Sequence, residues 1–180
     1  QYGYLYIYGT LVADGEPGQQ IYFTSIKDDD DAAGGDTNGD GDDSSPAPGD
    51  WSQLYFYQAD LDNLLDNVVV RYGGGGGYNG AVYIYASSVE LTNNTISDNG
   101  QYGIYGVNST LSVTGNTISG HTTGAIHLDV NSLLNPDSDI SNNTLSGNAL
   151  DTIVLGDTLS EDVTLPASFG TYVVDYLTVA

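Results

Sequence analysis

Three near copies of one five-residue phrase constrain this chain more than any other feature: NNTIS at 93–97, GNTIS at 115–119 and NNTLS at 142–146, with DNVVV at 66–70 as a weaker fourth. Taking Asn67, Asn94, Asn116 and Asn143 as equivalent gives steps of 27, 22 and 27 residues. Eight residues after Ile96, Ile118 and Leu145 come Ile104, Ile126 and Ile153, and Leu64, Leu91, Val113 and Ile140 stand three residues before each Asn. Each repeat therefore supplies three short strands joined by turns, and no helical period competes with that pattern. A repeat of this length reads as one coil of a solenoid, which cannot bury its inner face until a neighbour stacks on it. The expected fold is all-β: a single parallel β-solenoid domain over residues 1–180, of about seven coils. The extra residues of YGGGGGYNG (72–80) and VNSLLNPDSD (130–139) are expected as loops off a constant coil.

Stacked coils lie about 4.8 Å apart, so one residue per coil at a fixed corner forms a column. Asn67, Asn94, Asn116 and Asn143 are expected to form such a column, each amide bonding the coil above and below. The other reading is that they are ordinary turn asparagines facing solvent.

The chain holds 2 Lys and Arg against 24 Asp and Glu, a formal net charge of -22. Such a molecule repels nucleic acid and anionic lipid. No apolar run of about 18 residues occurs, which excludes a spanning helix. Cysteine is absent, and with it any disulfide framework or thiolate metal site. The acidity concentrates in DDDDAAGGDTNGDGDD, residues 28–43, within an inserted loop placed at 28–50. Asp36, Asn38, Asp40 and Gly41 follow the D-x-N-x-D-G spacing in which alternate side chains converge on a hard cation. Asp42 could add its backbone carbonyl, but Ala47 stands where a helix-loop-helix site would carry its bidentate Glu. The remaining ligands would come from Asp28, Asp29 or Asp50. A solvated acidic loop without an ion is the alternative.

The NTIS rungs resemble the right-handed parallel β-helix repeats of the pectate-lyase-like superfamily over roughly residues 60–160. The front half, with GTLVADG, IYFTSIKDDD, GGDTNGDG and PGDW in that order, resembles the opening module of large bacterial and archaeal surface or secreted β-helix proteins. The resemblance implies a right-handed single-stranded parallel β-helix in an extracellular or cell-surface setting. In the resembling family the acidic segment is read as a calcium-stabilised insertion, which implies Ca2+ held by residues among Asp28, Asp29, Asp36, Asn38, Asp40 and Asp42.

Related folds carry lyases and hydrolases, so catalysis has to be judged on residues. Lys27, Arg71, His121 and His127 are the only nitrogen bases for proton abstraction. Asp129 and Asp151 are the conceivable hydrolytic pair, yet the Asn-Thr-Asp, Asp-Asp and His-Gly signatures of the resembling hydrolases are missing. The expectation is a protein that is not an enzyme.

QYGYLYIYG alternates Tyr2, Tyr4, Tyr6 and Tyr8 with small or apolar residues, and Tyr55, Tyr57, Tyr83, Tyr85 and Tyr105 continue the pattern. With Leu5, Ile7, Phe56, Ile84 and Ile104 pointing inward, the tyrosines become an outward face, here assigned to assembly. The chain starts within one strand pattern and ends in another, TYVVDYLTVA, so both terminal coils are expected to lack a cap. Uncapped strand edges template pairing with another copy, head to tail. The function expected is a calcium-stabilised structural subunit of a filament or surface scaffold. The alternative is a carbohydrate-binding or carbohydrate-processing module whose tyrosine face contacts glycans. Sequons stand at Asn93, Asn108 and Asn142, of which Asn108 is the best glycosylation candidate because the other two adjoin the proposed Asn column.

Overall fold

The computed structural model describes residues 3–41, 43–159, 164–165 and 171–179. Tyr2 and Asp42 lie outside these. Three parallel sheets wrap one core. Sheet A takes β1 (Leu5–Ile7), β4 (Leu54–Tyr57), β7 (Gly80–Tyr85), β10 (Tyr102–Val107), β13 (Gly124–Leu128), β16 (Ile153–Leu159) and β17 (Tyr172–Val179), in that order. Sheet B stacks β2 (Val12–Asp14), β5 (Asn63–Asp66), β8 (Ser88–Thr92), β11 (Thr110–Thr114) and β14 (Asp139–Ser141). Sheet C stacks β3 (Ile21–Phe23), β6 (Val68–Arg71), β9 (Thr95–Ser97), β12 (Thr117–Ser119) and β15 (Thr144–Ser146).

Sheets B and C each hold five rungs, so the described residues make five complete strand triplets rather than about seven coils; only sheet A reaches seven. The repeat count overshoots because β16 and β17 extend sheet A without further rungs in the other two sheets among the described residues. Residues 130–139 are also more than a loop, since Val130–Leu133 form a short helix, α1, capped by the Asp129 carboxylate.

Short strands suffice because the inward positions are apolar and continuous with their neighbours, apart from Asn63 at the start of β5, whose side chain bonds the backbone of Leu11 and Ser88. Leu54, Val82, Ile104, Ile126 and Ile153 form one such column in sheet A, and Leu65, Leu91, Val113 and Ile140 another in sheet B. Successive strands are turned at corners by single left-handed residues. Between sheets B and C these are Asn67, Asn93, Gly115 and Asn142, with φ from 49° to 70°. Asn and Gly tolerate that conformation best, which accounts for their regular spacing in the chain.

The long segment between β3 and β4 carries the acidic insertion and a single 3-10 turn at Asp31–Ala33. Its far end docks on the glycine run: the Trp51 indole N–H donates to the Arg71 carbonyl at 2.8 Å. At Gly75 any Cβ would collide with the Gly49 carbonyl, so the backbone itself must be the contact surface there.

Candidate functional site

In the acidic insertion, Asp29, Asp36 and Asp40 each offer a carboxylate oxygen within 4.8 Å of the others. The loop that brings them together is wound around Asp36, whose Oδ1 accepts from the amides of Gly39 (2.7 Å) and Asp40 (3.1 Å) and whose Oδ2 accepts from Gly41 (3.0 Å). Asn38 Oδ1 accepts from the Asp40 amide, and the Ser44 hydroxyl donates to Asp40 Oδ2 at 2.6 Å. The chemistry of this donor set is all-oxygen and anionic, which suits a hard divalent cation.

Asp28 is placed elsewhere. It is buried, takes a two-pronged pair from Arg71 at 2.6 and 2.8 Å, and also accepts from the Thr24 hydroxyl. Arg71 reaches Asp30 as well, at 3.0 Å, and the Ala32 amide together with Arg71 holds Asp30 below the usual carboxylate range. Asp50 is likewise committed: burial opposes its ionisation, yet Lys27 at 2.8 Å, the Ala47 amide and the Ser25 hydroxyl hold its carboxyl below that range. Arg71 thus anchors the insertion to the solenoid and Lys27 ties the two ends of the inserted segment together, uses that sequence spacing alone does not reveal.

The internal amide column runs Val68, Asn94, Asn116, Asn143. The amide N–H of each of the first three donates to the side-chain oxygen of the next, at 2.8, 2.9 and 2.9 Å. The side-chain nitrogens of Asn94, Asn116 and Asn143 donate to the carbonyls of Leu65, Leu91 and Val113. Asn67 is not in this column. It occupies the left-handed corner aligned with Asn93, one residue earlier than expected, because Val70 rather than Val69 pairs with Ile96. Three consecutive valines carry no alternation, so the sequence left the register of that rung open.

Two further columns escaped the sequence reading. At the corner leading from sheet A, the hydroxyls of Ser87, Ser109 and Ser132 accept from the amides of Ala59, Ser87 and Ser109. At the corner leading back into sheet A, Asn99, His121 and Asn148 do the same for Gly73, Asn99 and His121. His121 is only 2% exposed, and its Nε2 has no hydrogen-bond partner among the described residues. Burial pushes its pKa down to about 4. Gly103 makes room for it, since a Cβ there would run into the imidazole.

On the outside of sheet A, Tyr6, Tyr55, Tyr83 and Tyr105 stand in one register column, followed in it by His127. Tyr8 and the register pair Tyr57 and Tyr85 lie in a second, and Tyr4 packs edge-on against Tyr6. Tyr55 stacks on Tyr83 at 4.6 Å, Tyr57 on Tyr85 at 5.4 Å and Tyr105 on His127 at 4.2 Å, all within 9° of parallel. Burial, with the neighbouring tyrosines, pushes the phenols of Tyr55 and Tyr105 up to about 12.

The groups weighed for catalysis are all engaged or enclosed. Lys27 and Arg71 are ion-paired, and His121 and His127 are buried. Asp129 accepts from the amides of Asn108 and Ser132, and Asp151 from those of Gly147 and Asn148. Asn108 is an exposed corner residue whose Oδ1 accepts from Asn131 at 2.8 Å. Asn93 and Asn142 are also exposed corner residues, with the internal amides one position later.

A family model described as "Right handed beta helix region" matches residues 53–165. No curated protein and no solved structure matches the chain.

Proposed function

The chain belongs to the right-handed beta helix family, and from that premise we propose that it is a structural, non-catalytic unit whose copies stack head to tail into a filament or scaffold at the cell surface or outside the cell. One observation carries this reading. Leu5 stands in the inward column of sheet A, where Leu54, the next member, is 1% exposed, yet Leu5 itself is 41% exposed. Ile7 and Ala13 on the same rung are 6% and 4% exposed, so the opening is confined to the side of the rung where Leu5 stands. Apart from Ile26 and Tyr78 on loops, other exposed large apolar side chains lie toward the two ends of the solenoid, among them Tyr4, Tyr8, Val12 and Leu61 on one side and Leu150, Val174 and Tyr176 on the other. Open parallel edges with apolar ends are templates for the next coil.

Electron microscopy of the purified protein tests the proposal: the wild type is expected to give filaments, and Leu5→Asp discrete particles that melt within a few degrees of the wild type. A wild type that remains as single particles at all concentrations overturns it.

Glycan recognition by the tyrosine face is disfavoured by ring geometry. A sugar packs on an exposed aromatic face, whereas Tyr55, Tyr83, Tyr57 and Tyr85 use their faces on one another.

The same proposal includes Ca2+ at Asp29, Asp36 and Asp40, whose clustered oxygens repel without a counterion. Chelation is expected to lower stability by about 1.4 kcal/mol where the free ion had stood at about ten times Kd, and to open residues 28–50 to protease. Unchanged melting and unchanged cleavage on chelation would remove calcium from the account.

A further inference from the structure

Resting on the head-to-tail reading, we infer that the joint between copies is made in sheet A, with β17 of one molecule pairing in parallel with β1 of the next so that Tyr176 lies beside Tyr8. The register columns carry this. One inward column runs Ile7, Phe56, Ile84, Gly106, Leu128, Leu155 and Val174. Leu155 is fully buried, while Val174 at its end is 49% exposed; this column is open at β17 and covered at Ile7 (6%), and the neighbouring column is open at β1, where Leu5 is 41% exposed. A second column passes through Tyr6, Tyr55, Tyr83, Tyr105, His127, Val154 and Val173 on the outer face.

The decisive feature is an irregularity. Between Leu155 and Gly156 the pairing of β16 with β17 slips by one residue, leaving Asp175 unpaired and setting Tyr176 opposite Gly156. Strict alternation would have put Asp175 there. The slip moves Tyr176 into the column that holds Tyr57 and Tyr85, at the cost of one bulge. Tyr8 ends that column on the first rung with 63% exposure, and Tyr176 ends it on the last with 56%. Continuing each column across the joint places Tyr172 beside Leu5, Val173 beside Tyr6, Val174 beside Ile7 and Tyr176 beside Tyr8. That single register covers the exposed side chains of Leu5 and Val174 and sets Tyr176 of one copy next to Tyr8 of the following one, at the head of the run Tyr8, Tyr57 and Tyr85. β1, β4, β7, β10 and β13 contain no carboxylate, so this edge is also a face on which copies of charge -22 approach without opposed Asp side chains from the receiving strand.

The absence of cysteine makes a direct test possible. Tyr8→Cys with Tyr176→Cys is oxidised mildly and run without reductant, beside a control pairing Tyr8→Cys with Val173→Cys. Neighbouring Cα atoms across a parallel pair lie within disulfide reach, whereas a partner two residues away is beyond the roughly 7 Å limit. The expected result is a ladder of reducible multimers from the first variant and monomer from the control. Hydrogen exchange of wild-type filaments supplies a reading free of substitutions, in which amides of β1 and β17 gain protection on assembly. Filaments that form while β1 stays unprotected, or whose control cross-links as well as the test pair, overturn this register but leave stacking intact. No filaments under any condition overturn stacking itself.

Discussion

Replacing Asn116 by Ala is expected to cost about 4 kcal/mol, from two buried backbone groups stranded at about 1 to 3 kcal/mol each. The Asn94 amide N–H loses its acceptor at 2.9 Å, and the Leu91 carbonyl loses the side-chain donor that reaches it at 2.8 Å. Water cannot replace either bond, because Asn94 and Asn116 are sealed inside the corner between sheets B and C. For a chain of this size the loss corresponds to a fall in melting temperature of roughly 8 to 16 °C. Asn67→Ala provides the contrast. Asn67 donates no side-chain bond to the internal column; its chief demand is a left-handed backbone at φ 49°, where Ala costs about 1 kcal/mol. Thermal denaturation of the two variants side by side decides the matter, and equal losses would mean that the column does not begin at Val68.

Acid should weaken the solenoid through His121. The unfolded imidazole takes up a proton near 6.5, whereas burial delays protonation in the folded chain to about 4. The folded state therefore binds fewer protons, and its stability is full above pH 6.5 and declines as the pH falls toward 4. At about 1.4 kcal/mol per pH unit, the gap amounts to about 3 kcal/mol at pH 4 and below. The local reason is donor against donor. Neutral His121 accepts the Asn99 amide at Nδ1 (3.3 Å), and a proton added there would face that N–H. Asn99 and Asn148 fill the equivalent places with an amide that cannot titrate. His121→Asn is accordingly expected to match the wild type near neutrality and to exceed it by about 3 kcal/mol at pH 4, measured by urea unfolding across that range. Parallel pH profiles for the two proteins would show that His121 does not report on acid unfolding.

What was legible in the chain follows from periodicity. Ile104, Ile126 and Ile153 recur eight residues after the Asn phrases, and they fall into one register column. The tyrosine alternation likewise translates into columns, because strand geometry sends residues i and i+2 to the same face whatever the tertiary context. Where the pattern lapsed, so did the reading. Val68, Val69 and Val70 offer no alternation, and the first rung of the amide column slipped by one. In the insertion, the spacing of Asp36 and Asp40 showed a turn built from carboxylates, but nothing in DDDD distinguished Asp29, which joins them, from Asp28, which joins Arg71 from 43 residues away.

The sequence by itself determined the all-β class, the three-strand coil and the two faces of sheet A, since those depend on local period and on corner residues that tolerate left-handed φ. Tertiary structure alone decided the register of the valine rung, the pairing of both cations, the serine and histidine-containing columns, and the bulge that turns Tyr176 outward. Each of these is a choice among near-equal local options, and for the amide, serine and histidine-containing columns it is settled by which buried donor finds an acceptor on a coil more than twenty residues away.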